Sequence, residues 1–202
     1  MYDISGETDR TVLLQSALLL GFYHSEKDLH TQPWYWSGIA ISLCQIVGLH
    51  RTPVGSNLDL TTDDQTRRMQ RRLWWCCFYR DRWLSLTLGR PLRINLNDCD
   101  VTLPDTTDWL DDLANVPTNE LQDIWTPADR VCLAQDWVTL ISLSKLLGEV
   151  LAFKYRHGFG ESTFQRVKDL ESTISKFTLD VTGHRDSQIL TFSLLHLRLH
   201  FQ

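Results

Sequence analysis

The chain of 202 residues has few of the features that mark secreted, membrane or metal-dependent proteins. None of its five cysteines forms a Cys-x-x-Cys pair, and the odd count argues against both a disulfide framework and a zinc site. The sequence contains no run of about 18 apolar residues, which a membrane-spanning helix would need. The first ten residues, MYDISGETDR, lack the basic and apolar regions of a signal peptide. We therefore expect an intracellular chain with reduced thiols and no membrane contact.

Catalytic and nucleotide-binding motifs are also missing. No Gly-x-Ser-x-Gly elbow, phosphate-binding glycine loop or dinucleotide fingerprint occurs. His196 and His200 have the spacing of a helical metal pair, but no Glu follows His196 as it does in zinc proteases. Cys76 and Cys77 are neighbours that point about 100° apart on a helix, which favours core thiols over metal ligands. We expect a protein that is not an enzyme and that holds no cofactor or metal ion.

Charge is distributed unevenly, although the net charge is only −5. Residues 51–93 hold nine Arg and four Asp, whereas residues 94–129 hold nine acidic residues and no Lys or Arg. Pairing within the molecule explains this asymmetry most simply, with Asp98 and Asp100 as candidate partners of the basic cluster. The cluster consists of Arg67, Arg68, Arg71 and Arg72. Nuclear import and contact with DNA phosphates are its alternative uses, although an acidic chain is a poor binder of DNA.

Apolar periodicity and helix-capping residues predict an all-α fold, a multi-helix bundle of antiparallel helical hairpins. Residues 92–126 contain too many Asp, Asn and Pro for a helix, and we interpret them as a long acidic connector with one short helical turn. The last segment also alternates as a strand would, but we prefer a helix there. Helices are predicted near residues 9–25, 34–47, 63–88, 127–156, 162–180 and 186–202, and the short turn at 109–113.

The predicted helix ends depend on a few residues. Pro33 suits the first position of the second helix. Thr62 and Gln65 form a capping box at the start of the third helix. Gly89 supplies the left-handed cap at its end, and Pro91 prevents its continuation. The third helix is therefore the best-defined element of the sequence.

Residues 71–104, RRLWWCCFYRDRWLSLTLGRPLRINLNDCDVTLP, are the most specific stretch of the chain. They resemble the fungal-specific transcription factor domain, the middle homology region that follows a zinc binuclear cluster in many fungal regulators. Four pieces match in order: an Arg-Arg-Leu-Trp-Trp run, an Asp-Arg pair, a Gly-Arg-Pro turn and an Asp-x-Asp-Val-x-Leu-Pro segment. Upstream, residues 38–51 resemble the family's Gly-Leu-His-Arg helix, with Cys44 in place of Ala. The signature positions are Arg71, Arg72, Trp74, Trp75, Asp81, Arg82, Gly89, Arg90, Pro91, Asp98, Asp100 and Pro104.

The resemblance implies a regulatory and interaction domain of a nuclear fungal transcription factor, which modulates transcription by RNA polymerase II. Zinc and DNA binding belong to the family's separate N-terminal module, which these residues do not encode. The implied partners are proteins of the transcription machinery and a small-molecule inducer. We expect residues 1–202 to form one domain, incomplete at both ends relative to the family. Two alternatives stay open: a helical domain whose Trp-rich interior senses a small molecule, and a degenerate paralogue without DNA binding.

Asp81 is the most constrained residue of the signature. On a helix it lies on the same face as Trp74, Phe78 and Ser85, beside aromatic side chains that we expect to be buried. A buried carboxylate needs a partner, because an unpaired ion in a medium of low dielectric constant is costly. We predict an ion pair with Arg90, which follows the turn at the helix end. The alternative, Asp81 as a general base, lacks a second catalytic group in the sequence.

Overall fold

The structure is a computed structural model that describes residues 6–22, 31–52, 64–114, 126–154, 165 and 168–176. This described part of the chain consists of helices and their connections and contains no strand, which confirms the all-α prediction. Residues 168–176 are helical and agree with the helix predicted near 162–180. The elements with defined bounds are α1 (Arg10–Leu20), α2 (Thr31–Val47), α3 (Asp64–Leu88), a 3₁₀ turn (Leu96–Asp98), α4 (Thr106–Ala114) and α5 (Pro127–Lys154).

The chain divides into two compact units, Met1–Asp108 and Trp109–Gln202. The single domain expected over residues 1–202 stays a prediction. In the first unit, α2 packs against both α1 and α3. The core of this unit is built from apolar side chains of all three helices, among them Leu14, Ala17, Ala40, Ile41, Cys44, Leu73, Trp74, Cys77 and Phe78.

The first two helices differ from their predicted bounds. Asp9 caps α1, since its carboxylate accepts the Thr11 N–H at 2.8 Å. This helix ends at Leu20 and not near residue 25. The Gly21 N–H donates to the Ala17 carbonyl and completes the last turn. Helix α2 begins at Thr31, so Pro33 lies inside the first turn instead of at the first position. The turn tolerates proline because first-turn N–H groups have no acceptor within the helix.

The end of α3 confirms the predicted glycine cap. Gly89 has φ +60°, in the left-handed region that favours glycine. The Arg90 N–H donates to the Ser85 carbonyl at 3.0 Å, and the Gly89 N–H donates to the Leu86 carbonyl at 3.4 Å. These two bonds form a Schellman motif, which satisfies carbonyls that the helix end leaves free. Thr62, the predicted cap at the other end, lies outside the described residues.

The connector is more ordered than the sequence predicted. Instead of a single turn at 109–113, it contains α4, and Asp105 and Asp108 cap the start of this helix. The Asp105 N–H donates to the Asp108 carboxylate at 3.2 Å, as in a capping box with Asp108 three residues after the cap. Residues 115–125 of the predicted connector lie outside the described residues.

In the second unit, α5 begins where the sequence predicted. Thr126 and Asp129 cap it reciprocally: the Thr126 N–H donates to the Asp129 carboxylate at 2.9 Å, and the Asp129 N–H donates to the Thr126 hydroxyl at 3.2 Å. Pro127 occupies the first helical position. The second half of α5 is buried on several sides, at Ile141, Leu143, Ser144, Leu147 and Leu151 among others. Arg156 and the predicted helix over 186–202 lie outside the described residues.

No helix in the described ranges is long and apolar enough to span a membrane.

Candidate functional site

The signature residues lie along α3 and along residues 90–108, which we call the return segment. Residues that come later in the return segment contact residues that come earlier in α3. Asp81 contacts the segment at residues 93–94, Trp75 contacts it at Thr102, and Arg71 contacts it at Asp108. The return segment therefore runs back along α3 from its C-terminal end towards its N-terminal end.

Asp81 and Arg82 form the buried centre of this arrangement. Their side chains are almost fully excluded from solvent, and Arg82 Nη1 donates to Asp81 Oδ2 at 2.5 Å. Asp81 also accepts the backbone N–H groups of Arg93 and Ile94, each at 3.1 Å. Arg82 Nη2 donates to the Ile94 carbonyl at 2.9 Å, and its guanidinium lies 4.2 Å from the centre of the Phe78 ring. Both backbone groups of Ile94 are therefore held by the ion pair.

The predicted partner of Asp81 is wrong. Arg90 is exposed, and its backbone N–H is used in the cap of α3. The carboxylate instead pairs with Arg82, the next residue in the chain, and with two backbone donors beyond the turn. The reason is geometric: after Pro91 the chain turns inward against α3, while the Arg90 side chain stays on the outside.

Burial and pairing act against each other at this site. Burial raises the pKa of Asp81, and the Arg82 guanidinium and the N–H groups of Ile94 and Arg93 oppose that rise. Burial lowers the pKa of Arg82, while Asp81 opposes that change. Each charge thus depends on the other to remain in the interior, as is general for buried ion pairs.

A second set of contacts fixes the far end of the return segment. Trp75 Nε1 donates to the Thr102 carbonyl at 2.9 Å. Arg71 donates to the Thr102 hydroxyl at 3.2 Å and to the Asp108 carboxylate at 2.5 Å. Asp108 is 6% exposed. The same Asp108 carboxylate accepts the Asp105 N–H, so it joins the start of α4 to α3.

The acids predicted to pair with the basic cluster are the wrong ones. Asp100 accepts the Thr52 N–H at 2.5 Å and donates its own N–H to the His50 carbonyl at 3.3 Å, so it anchors the return segment to the chain after α2. Asp98 is exposed in the 3₁₀ turn. The partner of Arg71 is Asp108, which sequence reasoning missed although the spacing Asp105-x-x-Asp108 is a capping signal.

The other signature residues have structural positions. Trp74 and Trp75 are buried on α3, and Pro104 is buried on the return segment. Arg72 is partly exposed on α3, and Pro91 is exposed with its carbonyl 3.4 Å from the Ser85 hydroxyl.

The neighbouring residues Cys76 and Cys77 differ in how deeply they are buried. Cys77 is buried, and its sulfur lies 3.4 Å from the sulfur of Cys44 on α2. The hydrogen bond with Cys44, and then burial, raise the pKa of Cys77. Burial raises the pKa of Cys76 to about 11. Both shifts favour protonated thiols at neutral pH. The core-thiol interpretation is confirmed for Cys77, whereas Cys76 is only partly buried.

This arrangement holds the return segment against α3. The Asp81 carboxylate is occupied by a guanidinium and two N–H groups, so it is not a free base. In the described ranges, no group of three or more His, Cys, Asp or Glu side chains could hold a metal ion.

The known proteins that this chain resembles are regulators of transcription. The sequence profile of the fungal specific transcription factor domain matches residues 1–189. Cutinase transcription factor 1 alpha of Fusarium vanettenii is 32% identical over 156 residues, which are 77% of this chain and 16% of that protein. Cutinase transcription factor 1 beta of the same fungus is 37% identical over 109 residues, which are 54% of this chain and 12% of that protein.

The acetamidase regulatory protein of Aspergillus fumigatus is 39% identical over 105 residues, which are 50% of this chain and 13% of that protein. The chain spans less than a fifth of the length of these three relatives. No solved structure matches it.

The fold and these matches define the class as an all-helical regulatory domain of a transcription factor. Within that class, the chain belongs to the fungal specific transcription factor domain family, which confirms the resemblance carried by residues 71–104.

Proposed function

We propose that this chain modulates the output of a nuclear fungal transcription factor by presenting a helical scaffold to proteins of the transcription machinery. The family match over residues 1–189 is the observation that carries this proposal. The central charged residues, Asp81 and Arg82, are occupied in holding the return segment. Regulation in this proposal therefore works through exposed surfaces and the stability of the scaffold.

We propose also that the chain is not an enzyme, holds no zinc, and reaches DNA only through a separate module. Its relatives are named as transcription factors or regulatory proteins, and its net charge of −5 disfavours binding to DNA phosphates. Metal analysis of the purified chain should find less than about one zinc ion per chain. A gel shift at physiological salt should find no sequence-specific complex with the chain alone. Bound zinc or a specific complex would contradict these two points.

A tethering experiment tests the regulatory role. The 202-residue chain is fused to an unrelated DNA-binding module in a fungal host, and a reporter gene behind the matching operator is measured. We expect a reporter output several-fold different from that of the module alone. The Asp81→Asn variant should lose the effect because its scaffold is destabilised, whereas Arg90→Ala should keep it. An abundant fusion protein that leaves the reporter at the level of the module alone would overturn the proposal.

A further inference from the structure

An open groove with a volume of about 740 Å³ lies along one face of α2. This volume is within the range of about 300–1,000 Å³ that is typical of small-molecule sites. Several of its lining residues recur at helical spacings of three and four, so they form a continuous stripe on that face. The stripe consists of Tyr35, Gly38, Ile39, Ser42, Gln45 and Ile46, and Arg93 of the return segment also lines the groove.

Arg93 is a cation that the fold holds in place. Its backbone N–H donates to Asp81, and Nη1 of its guanidinium donates to the Trp34 carbonyl at 2.8 Å. The guanidinium carbon lies 3.5 Å from the centre of the Trp34 ring, which is a cation–π contact. A ligand that binds Arg93 would therefore lose little additional side-chain entropy.

Gly38 provides the space that this guanidinium occupies. A Cβ atom added at Gly38 would lie 2.6 Å from Nη1 of Arg93. Any larger residue at this position would push the guanidinium away from the groove.

The guanidinium has hydrogen-bonding capacity left. It carries five N–H donors, and within the described residues its one side-chain hydrogen bond goes to the Trp34 carbonyl. Asp81 is the nearby negative charge, but its carboxylate is paired with Arg82. Of the described residues that line the groove, none is acidic. An anionic group is the complement that this end of the groove lacks.

The rest of the groove is open to solvent and mostly apolar, with Ser42 and Gln45 as its polar side chains. Tyr35 is 58% exposed and Ile46 is 62% exposed, and Ile39 lies between them on the stripe. Covering such side chains with an apolar group is favourable, because it removes their surface from water. From Gly38 to Ile46 the helix rises about 12 Å, at about 1.5 Å per residue.

We propose that this groove binds an anionic amphipathic small molecule, a carboxylate on an apolar body. The carboxylate pairs with Arg93, and the body lies along Ile39 and Ile46. The inference goes beyond the regulatory function and does not depend on it, because binding is measured on the purified chain.

Octanoate is a suitable probe, since its extended chain is comparable in length to the Gly38–Ile46 stripe. Calorimetric titration of the full chain should give binding to octanoate at least about tenfold tighter than to n-octanol, because only the carboxylate of octanoate forms an ion pair with the Arg93 guanidinium. Octylammonium should bind more weakly than either. Arg93→Gln should weaken octanoate binding about tenfold or more and leave n-octanol binding unchanged. Arg90→Gln is the matched control, because it removes the same charge from an exposed position that does not line the groove.

Two further variants keep the test valid if Arg93→Gln affects folding. Ile46→Glu places a negative charge on an exposed residue, so the fold is retained while octanoate is repelled. Gly38→Ala should displace the Arg93 guanidinium, because the added Cβ would lie 2.6 Å from Nη1, and should weaken octanoate binding as Arg93→Gln does.

Equal affinity for octanoate and n-octanol, or no binding of octanoate, would overturn the proposal. So would unchanged octanoate binding in the Arg93→Gln and Ile46→Glu variants. Sedimentation of the same samples examines another occupant: a dimer that becomes monomeric with Ile46→Glu, and that binds no octanoate in either form, would assign the groove to a second copy of the chain.

Discussion

Replacing Asp81 by Asn perturbs the buried network without changing the shape of the side chain. Asp81 is 1% exposed and Arg82 is 3% exposed, so the variant leaves the Arg82 charge in the interior without a counter-ion. Removing one partner of a buried ion pair costs about 3–5 kcal/mol. Arg90 is exposed and makes no contact with the pair, and Arg90→Ala should change the free energy of unfolding by less than about 0.5 kcal/mol.

Urea unfolding of the purified chain, followed by far-UV circular dichroism, measures this difference. The total stability of a domain is about 5–15 kcal/mol, so Asp81→Asn should lower the unfolding midpoint by a large fraction. Adding Arg82→Met to Asp81→Asn should restore part of the loss, because the unpaired charge is then gone. The reasoning is refuted if Asp81→Asn unfolds at the parental midpoint, or if Arg90→Ala loses as much stability.

The other predictions concern helix ends and thiols. Gly89→Ala should lower the free energy of unfolding by about 1 kcal/mol, because only glycine adopts φ +60° without strain, and an unchanged urea midpoint would contradict this. Thr126→Ala should cost about 1 kcal/mol and Thr126→Ser much less, and equal losses would contradict the hydroxyl cap. The hydrogen bond from Thr126 lowers the pKa of Asp129. The stability that this bond contributes should therefore be present above the ordinary aspartate pKa of about 3.9 and be lost as the pH falls through the lower folded-state pKa. An NMR titration of Asp129 would follow this loss. With a pKa of about 11, Cys76 has about one thiolate in a thousand at pH 8, so iodoacetamide should label the exposed Cys132 first; equal labelling rates by peptide mass spectrometry would contradict this.

The helix ends that sequence analysis predicted correctly are those determined by residues close together in the chain. Gly89 ends α3, and Thr126 with Pro127 begins α5, because a cap is a contact within one turn. The helix at residues 106–114 was underestimated, since the acidic residues that suggested a loop are the ones that cap it.

The contacts of the return segment could not be predicted in the same way. Adjacent helical residues normally point apart, which made Arg82 an unexpected partner for Asp81, but a long arginine side chain can bend back to its neighbour. The backbone donors of Arg93 and Ile94 carry no sequence signal. The Arg71–Asp108 pair spans 37 residues and depends on the path of the segment between them. The path of the folded chain determined these contacts more than local helix propensity did.

Hydrogen exchange at the amide of Ile94 tests the central claim most directly, that the family signature folds the return segment onto α3 through Asp81. This N–H donates to a buried carboxylate at 3.1 Å, although no helix or sheet contains it. We expect it to exchange as slowly as core amides of α3, and much faster in Asp81→Asn. An Ile94 amide that exchanges in the parent chain at the rate of an exposed loop would contradict the account.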